Sequence, residues 1–123
     1  MDDRFVEIDY GPDENQPESV VIERIGEDAL IAWNELGKVP PGWHVDVQQL
    51  KTTWLRFFED MHKQRPGQKI LVVTSNGTAR FAPAVLEQPS PAITSLKMKT
   101  GYMSLFEASS TGSWYCSFWD KKP

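Results

Sequence analysis

Hydrophobic and polar positions recur at helical spacing in one long stretch of the chain, residues 46–65. Asp46 can cap the start of this stretch, and Gln49 stands three residues later, as in a capping box. The apolar positions would then share one face of a helix. They are Val47, Leu50, Trp54, Phe57, Phe58 and Met61. We therefore predict an amphipathic helix over residues 46–65 that packs against a core.

Alternation of polar and apolar residues predicts strands elsewhere. Residues 4–10 alternate with a period of two, and residues 69–74 form an apolar, β-branched run. Asn76 and Gly77 are a strong hairpin signal, because a type I′ turn needs positive φ at both positions. The chain would return over residues 78–82. Further predicted strands cover residues 93–99, 102–108 and 114–120.

Residues 18–36 allow two interpretations. In one, a single helix begins after a proline, with Glu18 in its first turn. In the other, residues 19–25 form a strand, Gly26 a turn and residues 28–36 a short helix. The β-branched residues of the first part favour a strand, and a glycine inside a helix costs about 1 kcal/mol. We therefore favour strand, turn and helix.

These patterns together predict the α+β class, with four to seven strands. We expect an antiparallel sheet of hairpins packed against the helix at 46–65, with a second short helix at 28–36. A chain of 123 residues suits a single domain spanning residues 1–123. Cys116 is the one cysteine, so an internal disulfide is excluded. No stretch resembles a signal peptide or a membrane span, and we expect a cytoplasmic protein.

The net charge of −4 is unevenly distributed along the chain. Residues 1–36 carry eleven acids and two bases, whereas residues 37–123 carry six acids and eleven bases. Complementary charge speeds association and disfavours wrong partners, so the acidic part predicts docking to a basic protein. The candidate contact residues are Asp13, Glu14, Glu18, Glu23, Glu27 and Asp28.

An alternative interpretation uses the C-terminal part of the chain, which is rich in aromatic residues and lysines. Exposed rings beside lysines on a sheet can stack with the bases of a single-stranded nucleic acid. The candidate contacts for such a module are Lys97, Lys99, Tyr115 and Trp119. The sequence does not indicate whether the protein forms a homo-oligomer.

Catalytic and cofactor motifs are not evident. The chain has neither a glycine-rich phosphate loop nor a Gly-x-Ser-x-Gly elbow. His44, Asp46 and His62 could provide three metal ligands, but their spacing is generic. We therefore predict no catalytic residue, no metal and no cofactor, and we expect that the protein is not an enzyme.

One segment resembles a known family. Residues 40–43, Pro-Pro-Gly-Trp, followed by Asp46 and a helix bearing Trp54, are similar to a motif of some contact-dependent growth-inhibition immunity proteins. In that family the helix is followed by a strand like residues 70–74. The resemblance implies a cytoplasmic protein that neutralises a toxin by binding it, with no contact residue carried over. Together with the acidic segment, it predicts a stoichiometric inhibitor of a basic partner.

Overall fold

The computed structural model describes Phe5 and residues 7–123. This part of the chain contains four helices and one two-stranded antiparallel sheet, so the predicted α+β class is confirmed. The helices are α1 (Glu18–Ile25), α2 (Glu27–Leu36), α3 (Val47–Gln64) and α4 (Asn76–Ala79). The strands are β1 (Met103–Ala108) and β2 (Trp114–Lys121). Short 3₁₀ turns cover Gly11–Asp13 and Ala82–Val85.

Helix α3 forms where its pattern predicts it and is the centre of the core. Asp46 Oδ1 accepts a hydrogen bond from the Gln49 N–H at 3.0 Å, which caps the helix. Its buried aromatic face packs on the sheet: Phe58 lies 5.4 Å from Phe106 and 4.7 Å from Trp114 between ring centroids. The predicted packing of this helix against a hairpin is therefore confirmed.

Residues 19–25 are helical, so the strand predicted there is wrong. They belong to α1, and Gly26, with φ of +90°, separates α1 from α2. Val21 is buried, and burial of this helix face outweighs the β propensity of its branched residues. The short helix predicted at 28–36 is confirmed as α2.

The hairpin predicted around Asn76 and Gly77 is wrong. Ser75 Oγ accepts a hydrogen bond from the Thr78 N–H at 3.3 Å, and this cap starts α4 at Asn76. Gly77 has no positive φ, which a type I′ turn requires. Residues 69–74 pair with no strand in the part of the chain that the structure describes.

The sheet contains fewer strands than the sequence pattern predicts. Strands β1 and β2 confirm the predictions at 102–108 and 114–120, and Phe106 pairs with Cys116 across the sheet. Residues 93–99 form irregular backbone with bends at residues 94 and 96, so the strand predicted there is wrong. Of the strand predicted at 4–10, Arg4 and Val6 lie outside the described residues.

No helix among the described residues combines the length and apolar character needed to cross a bilayer. That the chain forms a single domain stays a prediction.

Candidate functional site

Polar side chains from the N-terminal segment and from α4 meet at the edge of the core. The Tyr10 hydroxyl donates a hydrogen bond to Glu7 Oε1 at 3.3 Å. Gly77 packs against this phenol, since a Cβ at position 77 would lie 2.7 Å from Tyr10 Oη. Arg80, which follows α4 directly, interacts electrostatically with both groups. We refer to these three side chains as the Glu7–Tyr10–Arg80 cluster.

Arg80 is fixed by the C-terminal end of α2. It is only 4% exposed, and its guanidinium lies 4.2 Å from the centroid of the Trp33 ring. Nη1 donates to the Trp33 carbonyl at 3.1 Å, and Nε donates to the Asn76 carbonyl at 3.4 Å. A cation at the end of a helix also interacts favourably with the helix dipole. Arg80 thus ties α2 to α4.

One nitrogen of this guanidinium stays available. Nη2 of Arg80 donates to none of the described residues, although Nη1 and Nε both do. No buried side-chain nitrogen or oxygen in the described part of the chain lacks a partner, so Nη2 keeps a small contact with solvent, although Arg80 as a whole is only 4% exposed. Burial lowers the pKa of Arg80 to about 10, and the side chain still carries its charge at neutral pH.

Tyr10 is the second strongly perturbed group of this cluster. Burial, and next the charge of Glu7, raise the pKa of Tyr10 to about 12. The phenol therefore keeps its proton and acts as a hydrogen-bond donor. Strongly perturbed groups that interact with each other tend to mark functional sites. Here the two perturbed groups are Tyr10 and Arg80, which lie about 70 residues apart in sequence.

Glu7 completes the cluster with an accessible carboxylate. Its Oε1 accepts from the Ile8 N–H at 3.0 Å as well as from Tyr10, whereas Oε2 bonds to none of the described residues. A carboxylate, a neutral phenol and a fixed guanidinium can bind an anionic group and exchange a proton with it. No short motif in the sequence links these three residues, because only the fold brings them together.

The acidic residues predicted to contact a partner divide into two groups. Asp13 is buried: its carboxylate accepts from Arg24 Nε at 2.7 Å and Nη2 at 2.5 Å and from Trp43 Nε1 at 2.8 Å. The Arg24 hydrogen bonds hold the pKa of Asp13 below its ordinary value. Asp13 is therefore not available to a docking partner. The exposed members of the set are Glu14, Glu18, Glu23, Glu27 and Asp28.

The residues predicted to contact a nucleic acid do not form one exposed aromatic face. Tyr115 is 51% exposed, but Trp119 donates from Nε1 to the Ser95 carbonyl at 2.9 Å. Lys97 is exposed, whereas Lys99 pairs with Asp120 at 3.2 Å. Trp119 is thus half-buried and held by its indole nitrogen, and only Tyr115 of the two rings is exposed.

The two histidines of the chain lie near opposite ends of α3. The His44 N–H donates to the Asp9 carbonyl at 2.9 Å, one residue from Tyr10. His62 lies in the last turn of α3, 6.5 Å from Trp114 between ring centroids, and lines a cavity of about 400 Å³. A helix of 18 residues is about 27 Å long, so the two imidazoles cannot share a ligand.

The metal site considered for His44, Asp46 and His62 is therefore not formed. Among the described residues, no group of three His, Cys, Asp or Glu side chains could hold a metal ion.

A comparison with protein families matches residues 1–121 to the histidine phosphatase superfamily (branch 1). The searches of curated proteins and of solved structures gave no significant match. The family match corrects the resemblance to immunity proteins, which is wrong. It also overturns the predicted function as an inhibitor of a basic toxin or a nucleic-acid-binding module. The expectation that the chain is not an enzyme is wrong as well, because the matching family is one of enzymes.

Proposed function

Because the chain belongs to the histidine phosphatase superfamily (branch 1), we propose that it acts on a phosphate monoester. The match over residues 1–121 of the 123-residue chain carries this proposal. We assign the phosphate to the Glu7–Tyr10–Arg80 cluster, which combines a cation, a neutral donor and a carboxylate.

The charges of the cluster support phosphate binding. Arg80 Nη2 keeps a small contact with solvent, while the rest of the guanidinium is held by carbonyl oxygens of α2 and α4. An arginine fixed in this way donates strong hydrogen bonds to phosphate oxygens and loses little side-chain entropy on binding. The protonated phenol of Tyr10 provides a second donor.

Glu7 is suited to proton transfer. Its exposed carboxylate lies next to the phenol that would contact the phosphate, and one of its oxygens is not hydrogen-bonded to any described residue. When the P–O bond of an ester breaks, the departing oxygen needs a proton. A positioned carboxylic acid typically accelerates such a step by a factor of roughly 10²–10⁴.

A histidine is needed to accept the phosphoryl group, and His44 is the better candidate of the two. Its backbone pairs with Asp9, next to Tyr10, whereas His62 lies in the last turn of α3, at the other end of the helix. With Glu7 in its carboxylic acid form, an imidazole nitrogen can attack phosphorus as the P–O bond of the ester breaks and the departing oxygen takes the Glu7 proton. Water then breaks the N–P bond to give inorganic phosphate, and its proton returns to the Glu7 carboxylate.

Hydrolysis of an alkyl phosphate monoester, measured by the release of inorganic phosphate, tests the proposal, because an alkoxide leaving group needs a proton whereas p-nitrophenolate leaves without one. We expect turnover by the wild-type chain, a loss of kcat by roughly a hundredfold or more in Glu7→Gln, and a loss at least as large in His44→Ala. His62→Ala is the matched control, because it removes the other histidine of the chain, and it should keep wild-type activity.

Absence of turnover and of inorganic phosphate binding in the wild-type chain would overturn the proposal. Loss of activity in His62→Ala with retention in His44→Ala would move the site to the cavity at the end of α3. A cytoplasmic location stays a prediction from the sequence.

A further inference from the structure

The buried Asp13 carboxylate holds one tryptophan in place. Its Oδ2 accepts from Trp43 Nε1 at 2.8 Å, and Arg24 binds both of its oxygens. Arg24 Nη2 also donates to the Pro41 carbonyl at 2.7 Å, two residues before Trp43. The Asp13–Arg24 pair therefore fixes both the backbone before Trp43 and the plane of its indole.

Trp43 in turn contacts the aromatic rings around the cluster. It meets Tyr10 edge to face at 4.9 Å and Trp33 at 5.1 Å between centroids, with interplanar angles of 83° and 76°. Trp33 carries the Arg80 guanidinium on its face at 4.2 Å. A continuous series of contacts thus runs from Asp13 to both hydrogen-bond donors of the Glu7–Tyr10–Arg80 cluster.

Edge-to-face ring contacts have preferred geometries, so a rotation of the Trp43 ring would change its contacts with both Tyr10 and Trp33. Burying a carboxylate also costs desolvation free energy, which strong hydrogen bonds must offset, whereas an apolar side chain would fill the same volume without that cost. Both observations point to a role beyond filling the core.

We infer that the Asp13–Arg24 pair is a positioning device, which sets the orientation of Tyr10 and Arg80 through Trp43 and Trp33. Its effect on catalysis rests on the proposed function, whereas its effect on the two side chains does not.

The Arg80 Nε–H signal in a ¹⁵N–¹H NMR spectrum tests the positioning directly. The guanidinium carbon lies 4.2 Å from the centroid of the Trp33 ring, so the ring current of the indole contributes to the chemical shift of the neighbouring Nε–H. In Asp13→Asn we expect the signal to move toward the position of an ordinary arginine or to broaden. Trp43→Phe keeps a ring in place but removes the donor to Asp13, and we expect a smaller shift in the same direction.

Glu59→Gln is the matched control for these variants. Glu59 also pairs with a cation, at 2.8 Å from Lys63 Nζ, but on the exposed face of α3. This substitution should leave the Arg80 signal unchanged. If Asp13→Asn does not fold, Trp43→Phe decides. An unmoved Arg80 signal in the variants that fold would overturn the inference, even if their melting temperature falls.

Kinetics with the same alkyl phosphate monoester give the second measurement. Misalignment of Arg80 and Tyr10 should raise KM roughly tenfold, about the contribution of one charge-assisted hydrogen bond, with a smaller change in kcat. Unchanged KM in both folded variants would contradict the inference. Absence of turnover by the wild-type chain removes the proposed function alone, since the NMR measurement still decides the positioning role.

Discussion

Two acid–base pairs of this molecule have the same chemistry and different surroundings. Asp13 and Arg24 form a two-pronged contact in which the carboxylate is only 2% exposed. Glu59 and Lys63 form a single contact along α3, with both side chains more than 60% exposed. The buried pair also binds an indole nitrogen, whereas no third group binds the exposed pair among the described residues.

This difference shows that geometry and burial decide whether an acid–base pair holds its neighbouring side chains in place. An exposed pair is screened by water and salt and contributes little. The buried Asp13 carboxylate loses its hydration, although Arg24 stays one-third exposed, so the hydrogen bonds that Asp13 accepts must be kept and its neighbours are held in place. Asp13 therefore fixes Trp43, which contacts the candidate site, whereas Glu59 lies on an exposed face of α3 and binds only Lys63.

The largest difference in stability should appear at Arg80, the last residue in the series of contacts that begins at Asp13. Replacing Arg80 by methionine removes the charge-assisted hydrogen bonds to the Trp33 and Asn76 carbonyls, each of which keeps one backbone N–H donor. We expect the free energy of unfolding to fall by about 3 kcal/mol, measured by urea denaturation. Arg56→Met, on the exposed side of α3, should change it by less than about 0.5 kcal/mol. Equal losses would show that burial does not distinguish the two positions.

A smaller effect is expected from Gly77→Ala. The added methyl would lie 2.7 Å from Tyr10 Oη and 3.1 Å from Ile8 side-chain carbons, so the phenol must move. We expect a loss of about 2 kcal/mol in the free energy of unfolding, typical of overpacking. Because Tyr10→Phe removes the oxygen that the methyl meets, the substitution should be less harmful in that background. A double-mutant cycle measures this coupling, and strict additivity would contradict the contact.

The smallest expected effect is on the pH dependence of the free energy of unfolding. The Arg24 hydrogen bonds lower the pKa of Asp13 in the folded chain, so the stability it contributes is present above its unfolded pKa of about 4. That contribution is lost as the pH falls through the lower, folded value. Unfolding free energies between about pH 6 and pH 2 should therefore decline less steeply for Asp13→Asn than for the wild-type chain.

Glu59→Gln removes the same charge from the exposed pair and should keep the wild-type slope. If both variants show one and the same slope, the buried and exposed pairs respond alike to protonation, and the contrast between them fails.

Local signals predicted those elements whose formation depends on their own residues. Helix α3 has an apolar stripe and an Asp46 cap, and both act within a few residues of each other. The last hairpin joins strands close in sequence, and its alternation agrees with the observed β1 and β2. Short-range patterns of this kind leave few competing structures.

The secondary-structure predictions were wrong where tertiary contacts decide between two local conformations. Gly77 fits a hairpin turn by itself, yet it packs under Tyr10 and lies inside α4. Val21 has a strand preference by itself, yet it is buried on one face of α1. At Gly77 the contact is with residues far away in sequence, and at Val21 it is the burial of one face of α1, which packs against α2; both exceed a local preference of about 1 kcal/mol.

The candidate site could not be predicted for the same reason. Glu7 and Tyr10 stand in one short segment and Arg80 in another, and nothing in their spacing indicates that they meet. The sequence also presents Asp13 as one acid among many in a strongly acidic segment. Only the fold removes it from solvent and pairs it with Arg24 and Trp43.

By itself, the sequence determined the α+β class, the position of α3, the C-terminal hairpin and membership of the histidine phosphatase superfamily. The tertiary structure decided which charges are buried, which rings touch and where a cation meets a carboxylate and a phenol. Composition and periodicity report how each residue interacts with water and with its near neighbours. The pKa values of Tyr10 and Arg80 depend instead on desolvation by residues from other parts of the chain.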